Sequence, residues 1–241
     1  MNDNGVDYRS CMQNRELSWL KFNQRVLEEA NCHDTPLLER FHFLSIFTTN
    51  LDEFFMVRVG SLIDYMQFSP DYYDNKTGWT AAEQLEKIYR ACIPLYSLRD
   101  DGYERLCHRL SLAGLSCVRM RELDKGELRE TEEYFHREIW PVLSPQIIDS
   151  SHPFPHLGNK QLNIAASLKQ GGSVMYGIIP VPSVAKRVYF LRGEELRCVL
   201  VEDMICYYAD KVFERYKVLE KGVICVTRNA DMDMDAGLFD E

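Results

Sequence analysis

The hydrophobic pattern is densest between Thr35 and Leu62, TPLLERFHFLSIFTTNLDEFFMVRVGSL. Leu37, Phe41, Leu44, Leu51, Phe55 and Leu62 recur largely at helical spacing, and Phe43, Ile46, Phe47, Phe54, Val57 and Ile63 cover much of the remaining circumference. The pattern predicts one long helix opened by Pro36 at its first position, where the missing N–H costs nothing. A helix apolar on nearly every side is expected to be buried on nearly every side. Its middle is interrupted by Thr48, Thr49, Asn50, Asp52 and Glu53, polar groups that must find partners if buried. Asn50 and Glu53, three apart, are neighbours on one face. Two readings stay open: they bond adjacent elements and fix the packing, or Asn50 faces a ligand, its amide suiting a purine edge or a phosphate.

Upstream, Ser18 to Cys32 reads as an amphipathic helix capped by Ser18, with Trp19, Phe22, Val26 and Ala30 on one face and Leu17, Leu20 and Leu27 broadening it. Trp19 and Phe22 at helical spacing are expected in the core and not as a base-stacking pair. Residues 31–35, NCHDT, join the two helices. Downstream, the turn-rich SPDYYDNKTG precedes a helix opened by Thr77 or Thr80, in which Leu85, Ile88, Tyr89, Cys92, Leu95, Tyr96, Tyr103, Leu106 and Leu110 keep helical phase. Pro94 should kink this helix or mark a junction of two, and Gly114 should end it. These helices form a bundle.

From Leu115 the pattern changes to short branched and aromatic runs: LSCVRM, LNIAASL, VMYGIIPVP, VYFLR, LRCVLV and VICVTRN. Gly171-Gly172 reads as a hairpin turn. Helical patterns cover residues 124–143, stopped near Pro141, and Glu202 to Tyr216. The expected fold class is therefore α+β: an N-terminal all-α helical bundle over 1–113, then a mixed domain over 114–241 with a small antiparallel sheet and flanking helices. Asp235 looks like the cap of a helix that has barely begun at Glu241, so this second domain is expected to be truncated at its C-terminal end.

Composition alters this picture little. With 46% hydrophobic and 27% charged residues it is that of a soluble globular protein, and no apolar run reaches the ~18 residues of a membrane span. Without a signal-peptide pattern, and with eight cysteines at no zinc-like or CxxC spacing, a cytoplasmic location and reduced core thiols are expected. A formal net charge of -9 repels polyanions over most of the surface, which argues against a nucleic-acid partner. His152 and His156 stand four apart, but Pro153 and Pro155 deny them a shared helical face, so a packed loop is expected rather than a metal site. Asp231, Asp233 and Asp235 alternate as in a calcium loop, yet Ala236 stands where that loop needs glycine. There is no GxxxxGK[ST], GxSxG or HExxH.

Four blocks, NRELSWLKFNQRVLEEA at 14–30, the central segment, HPFPHLGNKQLNIA at 152–165 and VTRNADMDMD at 226–235, resemble in order and content the opening half of a bacterial polyphosphate kinase of the first type. The resemblance implies an N-terminal helical domain followed by most of a head domain, with the family's catalytic domains absent. It further implies that the complete enzyme transfers the terminal phosphate of ATP reversibly to polyphosphate through a phosphohistidine, with Mg2+. Neither the catalytic residues nor the Mg2+ ligands have counterparts in this chain. It implies ATP, ADP and polyphosphate as partners and a homo-oligomer, dimeric or higher. Asn50 matches the asparagine before Leu-Asp-Glu-Phe that contacts ATP in the family, although the local TTN departs from the usual serine- or asparagine-containing version. The alternative is a non-catalytic α+β binding or dimerisation module.

Overall fold

A computed structural model describes residues 12–229 apart from Pro70, Ser151 and Pro153. These residues separate into two compact units: Leu110–Val226 form one, and the residues up to Arg109 together with Thr227–Asn229 form the other. Asp231, Asp233, Asp235 and the expected C-terminal helix start lie outside the described residues.

The first unit is helical. Helix α1 (Arg15–Asn31) begins three residues earlier than the pattern indicates, because Asn14 and not Ser18 caps it, accepting from the amides of Glu16 and Leu17. Its buried face is Glu16, Leu20, Asn23, Leu27 and Ala30. Phe22, expected in the core, is 47% exposed with Arg25 over its ring, whereas Trp19 stacks on Phe54 at 4.5 Å. Helix α2 (Leu37–Phe54) has Pro36 as its flanking residue rather than its first helical one. It continues through a π-helical turn, Phe55–Val59, into α3 (Gly60–Phe68).

The buried positions record this irregularity: Leu44, Phe47, Leu51 and Phe54 follow at three- and four-residue steps, then five residues separate Phe54 from Val59 before Leu62. A π turn accommodates one extra residue and keeps the buried seam continuous across it. The segment is thus buried along one seam and not on nearly every side; Leu38 and Val57 are 68% and 49% exposed. Helix α4 (Ala81–Leu112) is single and contains Pro94. Thr80 opens it through a reciprocal capping box with Glu83, and Gly114, at φ 96°, follows its end. Leu27, Phe47, Phe54, Ile88 and Leu106 are among the fully buried side chains of this unit. Each such burial contributes about 1.5–3 kcal/mol.

In the second unit, strands β2 (Gln146–Ile148), β3 (Leu162–Gln170), β4 (Ser173–Pro180) and β7 (Lys217–Cys225) form an antiparallel sheet in the order β2-β4-β3-β7. Gly171, at φ 60°, sits in the turn joining β3 to β4. A second, three-stranded sheet orders β1 (Leu115–Cys117), β6 (Leu196–Leu200) and β5 (Val188–Phe190), with β1 and β6 parallel, where only an antiparallel sheet was expected. Parallel pairing requires a long crossover, and here residues 118–195 separate the two strands. Helix α5 (Lys125–Tyr134) starts at a capping box of Asp124 and Glu127 and passes through a π turn, Phe135–Ile139, and a 3-10 turn ending at Val142. Helices α6 (Val201–Tyr207) and α7 (Ala209–Val212) split the expected Glu202–Tyr216 helix. Ile164, Ala166 and Leu168 of β3 point into a core with Phe135, Ile139, Val199, Met204, Ile205 and Phe213. Gly177 lets β4 pass beneath Phe213, whose ring a Cβ there would meet at 2.5 Å. Among the described residues no helix is long and apolar enough to cross a membrane.

Candidate functional site

Asn50 lies one turn before the π-helical segment and is half-buried. Its Nδ2 donates to Asn23 Oδ1 at 3.0 Å, and Asn23, wholly buried, donates its own Nδ2 to the Phe47 carbonyl at 3.0 Å. This chain of bonds fixes the sense of both amides. With its N–H committed to a carbonyl, Asn23 offers only Oδ1, so Asn50 must turn its nitrogen inward and keep Oδ1 outward. Among the described residues that oxygen has no protein donor. Half of the Asn50 amide therefore locks α2 to α1, the packing role that the sequence left open, and the other half leaves an oxygen facing away from that bond.

Polar groups continue along the same continuous helical path. Glu16, 4% exposed in α1, accepts from Arg15 Nε at 3.0 Å and pairs with Arg58 of the π turn at 3.3 Å. Asn14 donates to Gln84 Oε1 at 2.9 Å, tying the start of α1 to α4. Nearby, burial tends to push the Asp74 carboxyl up, but bonds from the Thr77 hydroxyl and amide, and then from Asn14 and the Lys76 amide, together hold it below its ordinary value. At the start of α3, Gly60 leaves room for Asn229, whose Oδ1 a Cβ would meet at 2.6 Å, and Asn229 Nδ2 reaches Asp64 Oδ2 at 3.2 Å. Glu53, the expected companion of Asn50, is exposed.

The two histidines of the proline-rich loop do not assemble a centre. His152 is exposed with Nδ1 2.9 Å from Asp149 Oδ1, and among the described residues no three His, Cys, Asp or Glu side chains are grouped to hold a metal ion. None of the seven described cysteines forms a disulfide, but only Cys92 and Cys198 are buried, and Cys117 and Cys225 are exposed, against the expectation of core thiols. Both exposed residues end strands, where alternation turns them outward. Burial pushes the Cys92 thiol up to about 11.

Sequence reasoning missed Asn23, Glu16, Arg58 and Asn229. A polar residue in the seam Leu20, Asn23, Leu27, Ala30 carries the i, i+3, i+7 signature of a buried amide, so Asn23 was within reach. The Glu16–Arg58 pair and the Gly60–Asn229 contact join residues far apart in the chain and left no local signal.

Comparison with known proteins agrees with this architecture. Residues 12–118 match the family model of the polyphosphate kinase N-terminal domain, and residues 127–240 match that of the polyphosphate kinase middle domain. A polyphosphate kinase of Bacillus anthracis is 41% identical over 228 residues, covering 91% of this chain and 32% of that protein. One from Staphylococcus saprophyticus is 37% identical over 233 residues, covering 96% and 32%. The crystal structure of polyphosphate kinase from Porphyromonas gingivalis superposes with a TM-score of 0.79 at 27% identity, over 91% of this chain and 33% of that one. The chain thus spans about a third of the length of the relatives it matches.

Proposed function

Because the chain belongs to the polyphosphate kinase family, matching its N-terminal and middle domains, we propose that it forms the nucleotide-proximal front portion of a kinase that transfers the terminal phosphate of ATP reversibly to polyphosphate. In this reading Asn50 borders the ATP site, and the observation that carries it is the outward Oδ1 held by the Asn23–Asn50 bond. An acceptor so fixed suits the exocyclic amine of adenine and not a phosphate, which is itself an acceptor. The phosphohistidine, the Mg2+ ligands and the floor of the site belong to parts of the family's sequence that this chain does not match. No metal-binding cluster among the described residues fits that ion here, and Mg2+ when bound would neutralise the phosphate chain.

In the same reading the sequence partition, a helical domain over 1–113 and a head domain over 114–241, is the functional one, and both contribute to a homo-oligomer. The described cysteines, none in a disulfide, accord with a reducing cytoplasmic setting. This chain alone is expected to make no polyphosphate.

The test is ATP affinity in a protein carrying all of the family's domains. A hydrogen bond of this kind contributes about 0.5–1.5 kcal/mol net, so Asn50→Ala should weaken ATP binding by roughly two- to tenfold and leave tripolyphosphate binding unchanged. Equal affinity for ATP before and after the substitution would remove Asn50 from the site.

A further inference from the structure

Three arginines meet at the corner between α1 and α2, each held by the short segment Ala30–His33. Arg40, 3% exposed, donates Nε to the Ala30 carbonyl at 2.8 Å. Arg105 Nη2 donates to Asn31 Oδ1 at 2.8 Å, and Arg109 Nη1 lies 3.4 Å from His33 Nδ1. Asn31 is oriented for this by its own Nδ2, which donates to the Leu27 carbonyl at 3.0 Å. Gly102 permits the close approach of α4, since a Cβ there would lie 3.2 Å from Asn31 Oδ1. Arg105 and Arg109, four apart on α4, lie on one helical face with their backbone positions about 6 Å apart along the axis.

Among the described residues no carboxylate lies within ion-pair distance of any of the three, although eight other arginines do pair with Asp or Glu. Asp34, in the intervening loop, pairs with none of them, and Glu39 faces His42 at 3.7 Å. Arg40 is held below its ordinary value first by burial and then by the field of Arg109, with Arg105 adding to it against an opposing contribution from Cys32. Repulsion between the buried Arg40 and the exposed Arg105 and Arg109 is a cost that a bound anion relieves. Adjacent to the cluster, the N-terminus of the 18-residue helix α2 has no side-chain cap, so its first-turn amides add a positive field.

We propose that Arg40, Arg105, Arg109 and the opening turn of α2 form an oxyanion site for a condensed phosphate chain. Guanidinium groups grip phosphate oxygens in paired hydrogen bonds, and a ligand with linked anionic centres can serve Arg105 and Arg109 together. Arg40, anchored through Nε, supplies charge from beneath while its Nη atoms remain for the ligand. The site does not depend on the role assigned to Asn50.

The experiment is calorimetric titration of the 241-residue protein with sodium tripolyphosphate at low ionic strength. Arg105→Gln with Arg109→Gln tests the exposed members, while Arg40 is left intact because it supports the end of α1. The double variant is expected to bind tripolyphosphate at least tenfold more weakly with an unchanged melting temperature. Arg105→Lys with Arg109→Lys, which keeps charge but loses the fork, should fall between the two. ATP should compete with tripolyphosphate, and adenosine should not. Unaltered affinity in the double Gln variant overturns the proposal, as does competition by adenosine. Tighter binding of a short RNA than of tripolyphosphate, lost in the same variant, overturns the assignment to a condensed phosphate.

Discussion

Replacing Asn50 by alanine should destabilise the helical unit, and the structure sets the size of the effect. The substitution removes the 3.0 Å bond to Asn23 Oδ1 and leaves that oxygen, in a wholly buried residue, without its partner. An unsatisfied buried acceptor costs about 1–3 kcal/mol. Because Asn50 is half-buried and not sealed, water can partly replace the lost amide, which places the expectation near the low end, ~1–2 kcal/mol. Asn23→Ala removes both the bond to Asn50 and the bond to the Phe47 carbonyl and opens a small void beside fully buried Leu27 and Phe47, so its cost should be larger, about 2–4 kcal/mol. Once Asn23 is gone, the second substitution at Asn50 has no partner left to orphan. The double mutant should therefore be less destabilised than the sum of the singles, by ~1 kcal/mol or more. Urea unfolding of the four proteins at one pH measures this directly. Additive costs within about 0.3–0.5 kcal/mol would refute the reasoning that the two amides orient each other, and with it the argument that Asn50 Oδ1 faces outward.

Two further outcomes follow from particular contacts. Gly177→Ala would place a methyl group 2.5 Å from the Phe213 ring and should cost about 1–3 kcal/mol, read as a lowered urea midpoint; a midpoint equal to that of the parent would show the strand free to shift. Tyr189 is pushed up to about 12 first by burial and then by its bond to Glu130, above the ordinary phenol value. The neutral phenol is favoured in the fold, so its contribution is fully present below ~10 and is lost as pH rises from there toward about 12. Tyr189→Phe should accordingly lose less stability than the parent between pH ~8.5 and ~11.5, and parallel losses in the two proteins would exclude Tyr189 as a source of the alkaline transition.

Much of the fold was legible in local pattern. Helix and strand periodicity located the central helix, α1, α4 and α5 and most strands, because each depends on side chains that alternate between core and solvent at a fixed period. The resemblance of four blocks led to the family and to Asn50. What local pattern misassigned were phase and caps: Asn14 displaced Ser18 because a cap is chosen by which side chain meets the free amides, and Phe22 lost its core place to the seam containing Leu20 and Asn23.

The sequence by itself determined which segments are helical or extended, since that choice rests on neighbours within a turn or a pleat. Only the tertiary structure decided how the polar interruption is satisfied. The π turn that moves the buried seam from Phe54 to Val59, the Asn23 amide that fixes the sense of Asn50, and the three arginines drawn to one corner all arise between residues distant in the chain. Sequence pattern records periodicity along one element, whereas hydrogen bonds and uncompensated charge depend on which elements pack together, and that is set by the burial of both at once.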